Sequence, residues 1–190
     1  MKYIYQKINA RWIWLKIIIL CCLTFLNGQL IISEVMYNPQ CNGSNQEFIE
    51  ILNQGPAIDL TGFTITDNHT TDLLLPEFSI LQTDEYALIL EQDYENCYDD
   101  IFPDEMNFIF VDDNSIGNGL GNSSDEILIT DAVGDTICQL QWETSLPSGH
   151  SLERIVLDYD NIPANWRQSI AIGGTPGSVN SVSSFIYDIS

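Results

Sequence analysis

Carboxylates dominate whatever chemistry this chain can do. Asp112-Asp113-Asn114-Ser115 and the nearby Asp125-Glu126 offer hard oxygen ligands, which Ca²⁺ prefers. The stretch from Asp112 departs from the EF-hand pattern, with Ile116 at the fifth position and Ser123 at the twelfth. A solvated acidic face is the plainer reading of the same residues. No Cys/His spacing suggests zinc, and no cofactor other than calcium is expected. A hydrolase would need a nucleophile, a base and an orienting group. Only His69 and His150 are available as imidazole bases. Gly149-His150-Ser151 lacks the second glycine of a nucleophile elbow, since Glu153 stands there, and reads as a turn before a strand. Gly117-Asn118-Gly119-Leu120-Gly121 fails the dinucleotide pattern at Asn122 and reads as an inter-strand loop. Acids are abundant, yet no pair stands out for glycoside hydrolysis. The residues point away from an enzyme.

Charge narrows the partners. The 190 residues carry 27 acids and 6 Lys plus Arg, a net charge of -21. Lys2, Lys7, Arg11 and Lys16 all precede the first acid, Glu34. Beyond residue 30, Arg154 and Arg167 alone stand against 27 acids, a balance of -25. No basic patch exists to neutralise a phosphate backbone, so no nucleic-acid partner is expected. Docking on an anionic membrane is disfavoured for the same reason. A content of 45% hydrophobic and 11% aromatic residues is that of a globular chain.

The four early bases belong to a different kind of segment. Met1 to Arg11 is a charged start, Ile17 to Leu26 an uncharged, largely apolar run, and Gly28 a small residue at a cleavage position. Residues 1–28 therefore read as a secretory signal peptide, too short in its apolar run to span a bilayer. An uncleaved N-terminal anchor is the alternative. The expected location is exported, secreted or at the cell surface, with no membrane contact beyond this segment. Cys41, Cys97 and Cys138 remain, and an oxidising compartment permits one bridge among three pairings. Cys138 lies in a strand-like run and reads as a buried thiol. Cys41 and Cys97 lie in polar, loop-like stretches and are the favoured pair.

The elements that must position these residues are short. Leu30 to Met36, Phe48 to Leu52, Phe63 to Thr66, Leu73 to Leu75, Tyr86 to Leu90, Phe108 to Val111, Ile127 to Thr130, Thr136 to Trp142 and Ser151 to Val156 are apolar or alternating runs between turn signals. Asp131 to Asp135 reads as a hairpin connection with Gly134 at the position needing positive φ. No segment keeps a 3.6-residue period for twelve residues. The pattern is all-β, a sandwich or barrel. Residues 84–113 hold eleven acids and no base; Ile101, Phe102 and Phe108 mark them as a long loop pinned by aromatics.

An ordered set of motifs carries a resemblance. It runs through Ile32-Ser33-Glu34-Val35-Met36-Tyr37-Asn38-Pro39, Glu47-Phe48-Ile49-Glu50-Ile51-Leu52-Asn53 and Asp59-Leu60-Thr61-Gly62-Phe63. It continues through Gly119-Leu120-Gly121-Asn122-Ser123-Ser124-Asp125-Glu126, Pro147-Ser148-Gly149-His150-Ser151-Leu152-Glu153-Arg154, Trp166 and Thr175-Pro176-Gly177-Ser178-Val179-Asn180. This set resembles the lamin tail domain in its exported bacterial form, over residues 30–181, with 182–190 a short stub. The resemblance implies an immunoglobulin-like β-sandwich and no catalytic role. Gly62 suits a tight turn and Trp166 a core position. Arg154 is expected to bridge Glu50 or Glu47 and tie two strands, a task for which a bidentate guanidinium is suited. The expected function is a non-enzymatic module that binds an unidentified protein or glycan at the cell surface. The alternatives are a calcium-stabilised structural or adhesive domain, and an accessory module acting beside a secreted hydrolase or nuclease.

Overall fold

The computed structural model describes residues 30–183, apart from 42–44, 68 and 159. The expected signal peptide, and all of the expected stub beyond Ser183, lie outside these residues. β1 is Leu30–Met36, β2 Phe48–Asn53, β3 Thr64–Thr66, β4 Thr71–Pro76 and β5 Tyr86–Leu90. β6 is Asn107–Val111, β7 Asp125–Thr130, β8 Thr136–Trp142, β9 Leu152–Arg154 and β10 Trp166–Gln168, with a 3-10 turn at Pro163–Asn165. The fold is all-β. The strands form one ladder in the order β10-β9-β1-β2-β5-β6-β4-β3-β7-β8.

The ladder curls at β4. Thr71 to Leu73 pair with β3, whereas Leu74 to Pro76 pair with β6. One strand thus serves two layers, and the β3-β7-β8 part folds back over the β9-β1-β2-β5 part. The inward residues of both meet in a single core: Ile32, Val35, Ile49, Ile51 and Ile89 from one layer, Ile65, Ile127, Ile129 and Leu140 from the other. Period-two alternation explains the choice, because each strand offers one face to the partner layer. This curled sheet is consistent with the immunoglobulin-like sandwich implied by the resemblance. Tyr37 and Trp142 clasp the layers where β8 returns to β1. Their rings stack at 5.1 Å, and the Tyr37 hydroxyl donates to Thr144 O at 2.7 Å. The turn at Leu60 to Phe63 depends on Gly62, whose φ is +79° and where a Cβ would press on the Ala132 Cβ.

β5 and β6 are the one parallel pair among the described strands. Parallel neighbours cannot be joined by a tight hairpin, so residues 91–106 must cross over. That crossover is the acidic segment. It carries Tyr94, Tyr98 and Phe102 onto the outer face of the sheet, against Met36, Phe48, Leu88 and Leu90. Phe48 meets Tyr98 and Phe102 edge-on at 5.8 and 5.9 Å, a favoured aromatic geometry. Cys41 and Cys97 form a disulfide with their Cα atoms 5.9 Å apart, which fastens the crossover beside β1. Cys138 is a free, half-buried thiol, and burial pushes it up to about 12.

Several boundaries differ from expectation, and two of them bear on the site: β4 runs from Thr71 to Pro76 rather than Leu73 to Leu75, and β10 was not expected as a strand. The run from Ser151 to Val156 forms a strand only at Leu152–Arg154. Val182, placed in the expected stub, is buried, and its N–H donates to Glu153.

Reduction of the disulfide tests the fastening. The bridge closes 56 residues of chain, so Cys97→Ser is expected to lower stability by about 2–4 kcal/mol. Urea unfolding of oxidised protein and variant measures it.

Candidate functional site

Three glutamates stand in one row across the outer face of the sheet. Glu34 on β1 is opposite Glu50 on β2 and opposite Glu153 on β9. All three are fully buried. A residue opposite another on adjacent strands lies within about 5.5 Å at Cα, so the row would be untenable as three bare charges. It is covered by the segment from Gly174 to Val182, which supplies donors. Thr175 N donates to both Glu34 carboxyl oxygens at 3.1 and 3.2 Å. Thr175 Oγ1 and Ser181 Oγ donate to Glu153 at 2.9 and 2.7 Å. Ser33 Oγ donates to Glu50 Oε1 at 2.6 Å, and Gly177 N donates to its Oε2. Asn180 Nδ2 donates to Ser33 O and Arg154 O, both at 2.8 Å. A bulge between Ile32 and Glu34 lets Ser33 and Glu34 both serve this face. Residues from positions 33 to 182 therefore converge on one buried network.

Burial, and then the charge of Glu50, push the Glu34 carboxyl well above its usual 4.5. Burial raises Glu50 to about 8, against the pull of its Ser33 and Gly177 donors. A second inward carboxyl, Glu47, is raised by burial to about 8 and accepts Leu120 N at 2.9 Å. Its neighbour Glu91, raised by burial to about 7, accepts Glu47 N at 3.2 Å. Burial also opposes the charge of Asp67, but donors outweigh it: His69 N and Thr70 N at 2.6 Å and Asn118 N at 2.8 Å hold this carboxyl below its usual range. Asp72 accepts Gly117 N at 2.6 Å. The loop expected to be merely inter-strand, Gly117 to Gly121, is thus held by carboxylates, with Gly117 so close to Asp67 that a Cβ would lie 2.3 Å from its Oδ2.

Arg154 corrects an expectation. β9 alternates, so Glu153 and Arg154 face opposite sides of the sheet. Glu50 shares the Glu153 side and is not across from Arg154. Arg154 turns inward: its Nη1 donates to Ile32 O at 3.4 Å, and its guanidinium lies 5.9 Å from the Trp166 ring centroid. Burial lowers its pKa, while the Cys138, Asp158 and Asp160 groups raise it. Neither Glu50 nor Glu47 is among these partners. The calcium candidates are also used differently. Asp112 Oδ1 accepts Leu73 N at 2.7 Å, and Asp113 Oδ1 accepts Asn114 N at 2.6 Å. Asp125 accepts Gly121 N and Glu126 N, both at 2.8 Å. Among the described residues no three His, Cys, Asp or Glu side chains are arranged to hold a metal ion. Their carboxylates fasten loop backbone, and Glu126 turns toward a cleft instead.

That cleft is one of several hollows among the described residues. It has a volume of about 670 Å³ and lies between β8 and the β9-β10 edge. Trp142, Trp166 and Leu152 form its floor; Gln139, Gln141, Glu126, Glu143 and Asn161 stand on its walls. Both tryptophans are buried and fixed by their indole N–H groups, Trp142 to Gly121 O at 2.9 Å and Trp166 to Asn161 Oδ1 at 2.7 Å. Trp166 is therefore a core residue and a wall of the cleft at once. His150 and Ser169, 3.4 Å apart at Nδ1 and Oγ, make no nucleophile pair, because Ser169 is buried and donates to Ala171 O at 2.7 Å. Sequence reasoning missed Glu34, Glu153 and the cleft amides. Glu50 could have been suspected, since it sits between Ile49 and Ile51 in a strand-like run.

A family model of the lamin tail domain matches residues 25–144. The chain belongs to the lamin tail domain family. The match takes in Glu34, Glu50 and β1 to β8, and ends before Glu153 and the covering segment. A comparison with curated proteins gave no match. In this lamin tail domain Glu34 and Glu50, inside the match, join Glu153 and the covering segment, outside it, in one buried network.

The raised carboxyls set a sign for pH dependence. Each is raised in the folded state, so its contribution is complete below the unfolded value near 4.5 and is lost as pH rises to about 7 or 8. The melting temperature at pH 5 is expected to exceed that at pH 8.5 by at least about 5 °C. Glu50→Gln flattens this slope, as calorimetry across the range would reveal. Gly174 has φ +76°, and a Cβ there would lie 1.6 Å from a Glu34 oxygen. Gly174→Ala should therefore loosen the cover, destabilise by about 2 kcal/mol or more and speed amide exchange at Thr175 and Gly177.

Proposed function

We propose that this chain is a non-enzymatic, exported binding module whose ligand enters the cleft between the two sheet edges. The cleft carries the reading. Its volume of about 670 Å³ lies within the ordinary range for a ligand site, and its lining joins six polar residues to five apolar ones. Membership of a lamin tail domain family supports a module without catalysis. The Cys41–Cys97 disulfide supports an oxidising location outside the cytosol. The charge balance of -21 over the whole chain supports a partner that is not nucleic acid.

Gln141 is exposed on the cleft wall and pairs across the hairpin with Glu126. Gln141→Arg would place a long cation in the opening without touching the core. An array of extracellular glycans and peptides, probed with the intact chain and this variant, tests the proposal. Capture by the parent and its loss in the variant, at a melting temperature changed by less than about 2 °C, is the expected result. Equal capture by both would remove the cleft from consideration.

A further inference from the structure

The cleft is walled by main chain as well as side chains. Among the described strands β8 pairs with β7 alone, and β10 with β9 alone, so both borders of the cleft are sheet edges. In an antiparallel strand a residue turns its N–H and C=O to the same side, and the next residue turns them to the other. Asn161 Nδ2 donates to Gln139 O, which shows that the Gln139 main chain faces outward from the hairpin. By the same alternation Gln141 faces outward too. Asn161 thus occupies, at Gln139, the place that the N–H of a further strand would take. Beyond it the edge runs on through Gln141 toward Thr144, whose carbonyl is already taken by Tyr37.

The walls also carry a sign. Glu126 and Glu143 line the cleft, and no Lys or Arg is among its lining residues. An unpaired edge is a template for an added strand, and two carboxylates without a base beside them favour a cation over an anion. Resting on the reading of this cleft as the binding site, we infer that its occupant is an extended peptide segment bearing lysine or arginine, which pairs with the edge of β8 at Gln141. The main chain supplies the hydrogen bonds, and Glu126 and Glu143 receive the basic side chains.

The probe is a capped hexapeptide of alternating lysine and valine, titrated into the intact chain by calorimetry and by amide chemical shifts. Three comparison ligands accompany it: the same peptide with glutamate for lysine, the lysine peptide N-methylated at alternate residues, and a neutral hexasaccharide. Binding of the lysine peptide, with a shift at the Gln141 amide, is expected. Both altered peptides should bind at least about tenfold more weakly, as should the lysine peptide to E126Q/E143Q. Equal binding of the methylated peptide overturns strand pairing. Equal binding of the glutamate peptide overturns the charge argument. Binding of the hexasaccharide alone, with shifts at the cleft, overturns the peptide class while leaving the cleft as the site. No binding of the lysine peptide at millimolar concentration overturns the inference. Capture by the array that survives in Gln141→Arg would overturn the cleft itself.

Discussion

Carboxyl groups that turn inward and meet main-chain N–H donors are the interaction on which this structure depends. An acidic protein with many bases would answer its buried acids with ion pairs. Beyond residue 30 two arginines stand against 27 acids, so the buried acids are answered by backbone and hydroxyl donors. Thr175, Gly177 and Val182 supply N–H groups to the row of Glu34, Glu50 and Glu153. Leu120, Asn118 and Gly117 supply them to Glu47, Asp67 and Asp72. A buried carboxyl without partners would cost several kcal/mol. Held in this way, each one fixes a loop that has little apolar surface of its own. Burial also keeps several of them near neutrality at physiological pH, which lessens the repulsion between neighbours in the row.

The acidic crossover follows the same logic on its inner side and a different one outside. Its aromatic residues bury against Met36, Phe48, Leu88 and Leu90, and the disulfide at Cys97 anchors its middle. Its carboxylates stay in water, apart from Glu91, which turns in to bond Glu47 N. The Gly177 turn of the covering segment approaches Pro103 and Met106 of the crossover. The two long connections thus support each other over the outer face of the sheet. A cleft lies elsewhere, at the borders of the ladder, where the Asn161 side chain meets the main chain of β8 at Gln139.

Several particulars were legible in the chain. The alternation of Thr136 to Trp142 and the Asp131 to Asp135 turn give the β7-β8 hairpin directly, with Gly134 at φ +92°. The aromatics within residues 84–113 foretell a pinned loop. The motif order carries the family. The pairing of β5 with β6 in parallel was not legible, because period-two patterns say which face is buried and nothing about the neighbour. Arg154 was misplaced for a related reason. Its isolation among acids suggested an acid partner, while alternation along β9 sends it to the opposite face from Glu50. The four acids grouped as calcium ligands were close in sequence, yet three of them are spent on backbone N–H groups, Asp113 and Asp125 on those of the next residue and Asp112 on that of Leu73 in β4.

The sequence by itself determined the all-β class, the strand runs and the charge that disfavours nucleic acid. These are local properties: alternation, turn residues and counts of charge act over a few residues or none. Only the tertiary structure decided that Glu34, Glu50 and Glu153 form one row, that the segment from Gly174 covers it, and that the edges of β8 and β10 border a cleft. Those facts depend on register and on the curl at β4. Register is set by the simultaneous packing of two layers across the whole chain, and no stretch of sequence contains it.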